Sequence, residues 1–377
     1  MTLIKNEIDY NNLYRYDWSF SNAAQEGTSK LHPYPARFIE SIPRTLIREI
    51  GCPKGSVIFD PFCGSGTTLL EAQRAGYDSI GVDLNPIACL LSRVKTRRLS
   101  PLFLTTYIDV YGKSKDAYMN GRIVPSIPNL DHWFKKDVQI ALATITSEIA
   151  SQKDDEVKDA LKLALSSIIV QVSNQDSDTR YASVEKSISA SDVYEKFLNA
   201  CKKIIAIKAE VATDAKSSII NKDILSVSPA DIGANIGLVI TSPPYPNAYE
   251  YWLYHKYRMW WLGFNPIDVR TLEIGARPHY QKKNGQTEKD FAEQLRRLFN
   301  LFDSTVIRGG HICIVIGRSI IKGKEIDNAS IILELANECR YSFVASLERT
   351  IASTRKSFNP KYGKINSENI LVFRKDW

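Results

Sequence analysis

Residues 56–77 read SVIFDPFCGSGTTLLEAQRAGY, and they decide the fold. Val57-Ile58-Phe59 is a short apolar run suited to a strand buried on both faces. Gly64 and Gly66 give the backbone freedom for a tight turn. Thr68 and Glu71 then have the spacing of a capping box, which predicts a helix that Gly76 closes. The next stretch, SIGVDLNPIACLLSRV (79–94), repeats the theme: a strand over 79–82, the acid Asp83, and a helix begun near Pro86, where proline is favoured. Strand alternating with helix predicts an α/β protein with a parallel, doubly wound sheet.

Further along the chain the pattern changes. HWFKKDVQIALATITSEIA, DDEVKDALKLALSSIIVQVS and SASDVYEKFLNACKKIIAIKAEV space apolar residues at three and four, so residues 101–222 read as a mainly helical insertion. It carries 16 basic and 16 acidic side chains, and no low-complexity linker separates it from the rest. It is expected to pack on the sheet domain rather than swing free. Strands resume in IINKDILSVSP and IGLVITSPPY, followed by a helix near 287–306, a strand over 311–317 and a helix near 328–340. The last two strands, SFVASLERTI and ENILVFRK, flank the basic loop ASTRKSFNPKYGKINS and are expected to pair antiparallel. The chain thus divides at 1–100, 101–222 and 223–377, the outer two parts forming one catalytic domain.

Composition excludes several classes. No run of about 18 apolar residues exists to span a membrane. The first 20 residues hold acids and tyrosines where a secretory signal needs an apolar run, so a cytoplasmic location is expected. The six cysteines form no CxxC pair and the five histidines have no ligand spacing, so neither a metal nor a disulfide framework is expected. Net charge is +7, and residues 263–377 carry 19 basic against 13 acidic side chains. A polyanionic partner would be expected to meet that third of the chain.

In doubly wound sheets ligands bind at the carboxyl ends of the strands, near the switch in strand order. The turn from Asp60 to Gly66 lies at such an end, and Asp83 ends the next strand, where a carboxylate can accept both hydroxyls of a ribose. The pair implies a nucleoside-bearing cofactor. A dinucleotide is one candidate, but the turn lacks GxGxxG spacing. A third stretch, TSPPYPNAYEY (241–251), ends a buried strand and at once stiffens the chain with two prolines.

DPFCGSGTT, GVDLNP and TSPPY together resemble the S-adenosylmethionine-dependent amino-group DNA methyltransferases, most closely the cytosine-N4 type. KLHPYPARFIESIPRTLI (30–47) is similar to the segment that precedes the glycine loop there, and NKDILSV to the family's acid-bearing turn. The resemblance implies a Rossmann-like, mostly parallel seven-stranded sheet and S-adenosylmethionine as cofactor. Asp60, Phe62, Gly64 and Gly66 would wrap it, Asp83 hold its ribose, Asp223 lie beside its adenine, and Tyr34 and Pro35 close the methionine side. Lys30 or His32 would meet the carboxylate.

In the third motif, Ser242, Pro243, Pro244 and Tyr245 would handle the target base. An exocyclic amine is a poor nucleophile because its lone pair is conjugated into the ring. Two acceptors, the Ser242 hydroxyl and the Pro243 carbonyl, would engage its hydrogens, while Tyr245 offers a face for a base extruded from a duplex. Serine at this place tips the choice toward cytosine N4. Adenine N6, an RNA base, and a DNA-binding relative without catalysis are the alternatives. For DNA contact, Asn247, Tyr249, Arg277, Lys282, Lys283, Arg355 and Lys356 are the candidates, with the insertion as a possible target-recognition region. The family resemblance also implies a cognate restriction endonuclease as a possible partner.

Overall fold

The computed structural model describes residues 8–21, 27–120, 123–178, 180–208, 213–246, 249–351 and 367–377. Its central sheet has seven strands, numbered among themselves in chain order. They are β1 (Val57–Asp60), β2 (Ser79–Asp83), β3 (Ser217–Asn221), β4 (Ile236–Thr241), β5 (Val306–Gly317), β6 (Ser342–Thr350) and β7 (Ser367–Arg374). Their order in the sheet is β3-β2-β1-β4-β5-β7-β6. The first five are mutually parallel, while β7 enters antiparallel between β5 and β6, as the two terminal strands were expected to pair. The fold is α/β, doubly wound and Rossmann-like. The chain winds outward from β1 to β3 and returns to β4, so the switch in strand order falls between β1 and β4.

Both faces of the sheet are covered, because successive strand residues point opposite ways. Phe59, Val239 and Ile314 pack beneath the helix Glu288–Thr305 through Phe299 and Phe302. Ile58, Leu238 and Ile240 pack on the other face against Ile42 and Leu46 of the helix Ser41–Ile50. The insertion holds the helices Phe103–Asp116, Lys136–Ala150, Asp155–Ile168 and Ala190–Lys208. These share one apolar core with Leu90, Leu91 and Val94 of the helix Pro86–Thr96, and Arg93 pairs with Asp159 at 2.7 Å. A core continuous with the helix after β2 packs these residues against the sheet rather than apart from it.

One local expectation fails. Thr68 and Glu71 form no capping box: the helix is Thr67–Arg74, its N-cap is Gly66 at φ +74°, and no side chain caps it. The reason is crowding. A Cβ on Gly66 would stand 2.7 Å from Ser92 Oγ, so the turn admits no side chain that could reach back. Glu71 is engaged by Arg44 at 2.7 Å and Arg74 at 2.6 Å. Asn85 does cap the next helix, accepting from Ile87 N at 2.9 Å ahead of Pro86.

The described residues contain no helix long and apolar enough to cross a membrane, and no group of three or more His, Cys, Asp or Glu able to hold a metal.

The glycine turn leans closely on β2: a Cβ on Gly81 would meet Leu69 Cδ1 at 2.7 Å and Cys63 Cβ at 2.8 Å. Gly81→Ala should therefore destabilise the protein by about 1–3 kcal/mol, the usual cost of overpacking, as read from denaturant unfolding.

Candidate active site

The main cleft lies at the carboxyl ends of β1, β2 and β4, a cavity of about 280 Å³. Three sequence-distant turns meet there. Asp60, Phe62, Gly64 and Asp83 line it from β1 and β2, Asp223 from the turn after β3, and Ser242 to Tyr245 from the turn after β4. Tyr34 covers one side, its ring stacked on His255 and Tyr251 at centroid distances of 5.1 and 5.9 Å. Pro35 and Gly66 do not line the cavity; Gly66 serves the turn itself.

Asp83 holds the glycine turn as well as facing the cleft. One carboxylate oxygen accepts from Gly64 N at 2.8 Å, the other from Asn85 N at 2.8 Å. Each oxygen keeps a lone pair for a further donor, which suits vicinal hydroxyls. Burial pushes its pKa up to about 6. Asp223 likewise braces its turn, accepting from Leu225 N at 3.0 Å.

Asp60 is 3% exposed and ties two motifs together. Its Oδ1 accepts from Thr241 Oγ1 at 2.7 Å and from Phe62 N at 3.1 Å. Burial pushes this carboxyl too up to about 6. The sequence offered no sign of the Thr241 contact, since 181 residues separate the partners.

The Tyr245 phenol donates to Glu368 Oε1 at 2.7 Å, and Glu368 pairs with Arg349 at 3.1 Å across the β6–β7 ladder. Ser242 also hydrogen-bonds Tyr245. Burial and the Glu368 carboxylate raise the phenol well above its ordinary range, so it stays neutral. The Pro243 carbonyl accepts no hydrogen bond among the described residues. Behind the turn, Gly275 at φ +77° packs so closely that a Cβ there would stand 2.6 Å from the Tyr245 carbonyl oxygen. Two residues earlier, the Glu273 carboxylate accepts from Tyr251 N and Trp252 N, both at 2.8 Å, at the start of the helix Tyr251–Trp261. Burial raises its pKa to about 8. Glu250 stands at the N-cap position of that helix and makes no side-chain cap there.

Arg349, Glu368 and Glu273 escaped sequence reading. They stand in ordinary strand and loop contexts, and only register and tertiary approach bring them to the cleft.

The candidate cationic residues divide. Lys30 and His32 lie outside the main cleft: His32 is 2% exposed, with its ring nitrogens against Ser166 Oγ at 2.9 Å and the Pro33 carbonyl at 2.6 Å. Of that segment's cations, Arg37 lines the cleft. Arg277 faces Glu250 at 4.0 Å, Arg296 pairs with Glu338, and Arg297 donates to the Leu225 carbonyl at 2.7 Å. Lys282 and Lys283 are exposed, and Tyr249 lines the cleft. Asn247, Arg355 and Lys356 lie outside the described residues.

A Rossmann-like sheet with an acid-ended second strand and a cleft at its switch point is the arrangement in which doubly wound sheets take ligands. Residues 4–93 match the model of a family described as DNA methylase. The chain is 28% identical over 265 residues to the type II methyltransferase M.MvaI of Kocuria varians, covering 64% of this chain and 58% of that protein. It is 28% identical over 276 residues to the type II methyltransferase M.BsoBI of Geobacillus stearothermophilus, covering 63% and 53%. The chain thus spans little more than half the length of these curated relatives. Among solved structures, the rRNA methyltransferase AviRa of Streptomyces viridochromogenes is 13% identical, with a TM-score of 0.35 over 96% of both chains. That score carries no weight beside the strand order itself. The sequence matches support an amino-methyltransferase family.

If Asp83 accepts ribose hydroxyls, Asp83→Asn should weaken adenosine binding by about tenfold at pH 7.5, the scale of a hydrogen bond to a charged group. In the unaltered chain affinity should fall as pH drops through about 6, because protonation removes the charged acceptor. Calorimetry across pH 5–8 reads both, and a flat profile would remove Asp83 from the role.

Proposed function

We propose that this chain is a DNA methyltransferase that transfers a methyl group from S-adenosylmethionine to the exocyclic N4 amine of cytosine, as the modification half of a restriction–modification pair. The observation that carries the reading is the meeting of Asp83, the glycine turn and Ser242–Tyr245 in one cavity. The names of the two relatives, both type II methyltransferases, support it.

The residues present fit the cofactor. A carboxylate with spare lone pairs suits ribose hydroxyls, and Phe62, Leu84 and Ile224 supply apolar wall for an adenine. At about 280 Å³ the cavity falls just below the roughly 300–1,000 Å³ typical of ligand pockets. Asp83 would hold the ribose, Asp223 would lie beside the adenine, and Tyr34 and Arg37 would close the remaining side. When bound, S-adenosylmethionine supplies a methyl group activated by a sulfonium.

The chain's own work is positioning. Among the described residues the Pro243 carbonyl has a free acceptor, and proline's missing N–H and fixed φ keep it rigid. Ser242 in hydrogen bond with Tyr245, and Tyr245 donating to Glu368, leave the serine oxygen with lone pairs for the amine. Two acceptors engage the amine hydrogens and aim its lone pair. No strong base is needed, because an amine made cationic by methylation loses its proton readily to water. The neutral Tyr245 phenol is not a base; its ring offers a stacking face. Placement of this kind can supply about 7–11 kcal/mol.

Ser242→Ala should lower turnover about 100-fold, the scale of a misplaced reacting group, with adenosine affinity unchanged. Mass analysis of nucleosides from DNA incubated with the chain and labelled cofactor identifies the base. N4-methylcytosine is expected, and N6-methyladenine without modified cytosine would overturn the choice of base.

A further inference from the structure

A second cavity, of about 540 Å³, shares Arg37 with the main cleft and opens on the side of the helical insertion. Its wall joins the Gly27–Lys30 turn to the helices Asp155–Ile168 and Ala190–Lys208. Lys30, Arg37, Lys196 and Lys203 line it, together with the amides of Gln171 and Asn199, and no carboxylate does. Lys30, Lys196 and Lys203 make no ion pair among the described residues, and Lys30 and Lys203 are exposed. The closest acid before Lys196 on its own helix face, Asp192, is one turn away and already accepts from Ser189 N at 2.8 Å and Ser189 Oγ at 2.7 Å.

Not every cation is left without an acid. Arg44, Arg93, Arg296 and Arg318 each have a carboxylate partner. Asp192 and Glu40 lie within electrostatic reach of Lys196 and Arg37, but the recess wall itself presents four cations and no carboxylate, which favours an anion there. The spacing says which kind. Lys196 and Lys203 are seven residues apart on one helix, about 10 Å along its axis. A polyanion with repeating phosphates, such as a nucleic-acid strand, can engage Lys30, Lys196 and Lys203 together, which an isolated anion does less well.

We propose that this cavity is a phosphate-backbone site, taking one strand of duplex DNA beside the nucleotide presented to Ser242. The proposal rests on reading the chain as a DNA methyltransferase. It moves the main electrostatic contact to the insertion, away from the basic 270–297 stretch where several side chains are used internally. Arg37, common to both cavities, lies where the strand passes from the backbone site to the cleft.

The test is binding of a fluorescent duplex of arbitrary sequence to the full chain, by anisotropy, at several salt concentrations. In the Lys196→Gln/Lys203→Gln double variant the slope of log affinity against log salt should fall by about 2, and in Lys30→Gln by about 1. Affinity should weaken equally for unrelated sequences, while the melting temperature and adenosine affinity stay as in the unaltered chain. Lys202→Gln, exposed on the same helix but outside the cavity, should leave the slope alone. An unchanged slope in the double variant, with the unaltered chain binding duplex, would overturn this site and leave the methyltransferase reading standing. An equal loss in Lys202→Gln would also overturn it. No duplex binding by the unaltered chain would overturn both.

Discussion

The Asp60 carboxyl holds the candidate site in one piece. It sits at the buried end of β1 and binds, through one oxygen, both the amide that opens the glycine turn and the hydroxyl that ends β4. Those two contacts fix the glycine turn and the Ser-Pro-Pro-Tyr turn to each other across the switch in strand order. Neighbouring parallel strands alone would set only their spacing. A buried carboxyl with few competing donors is costly to leave unpaired, so the geometry that satisfies it is strongly preferred. The same burial holds its pKa near 6 and makes the contact sensitive to mild acid.

Around that joint, acids act mostly on backbone. Asp83 fixes Gly64 and Asn85, Asp223 fixes Leu225, and Glu273 fixes the first amides of the helix after the Ser-Pro-Pro-Tyr turn. Each engages N–H groups that a turn or helix start leaves without partners. The site is preorganised because its carboxylates are already committed to shaping the loops that carry them.

How much of this was legible in the sequence depended on how local the cause was. Strand–turn–helix rhythm named β1, β2 and the helices after them, because buried parallel strands are short apolar runs and Pro86 and Gly76 mark helix ends. The insertion's helical character followed from spacing alone. The Thr68/Glu71 capping box was misread because Ser92, 26 residues after Gly66, closes the space a cap would need. The basic last third, residues 263–377, was expected to face a polyanion, yet Arg296 and Arg297 within it are engaged by Glu338 and the Leu225 carbonyl. Composition counts charges but not their partners. Lys196 and Lys203 were invisible for the converse reason: the insertion is neutral in sum, and only folding separates its lysines from its acids.

The Tyr245–Glu368–Arg349 chain has a further consequence for how the molecule comes into being. Tyr34 and Glu368 stand at opposite ends of the described chain, yet both line one cleft. A chain emerging from the ribosome can shape the glycine turn as soon as β1, β2 and the helices beside them exist. It cannot anchor the tyrosine of the other turn until β7 has threaded between β5 and β6, the last strand to be made entering the middle of its half of the sheet. The order of synthesis therefore leaves the Ser-Pro-Pro-Tyr wall unfinished until β7 is present, and a product that stops before it carries half a cleft.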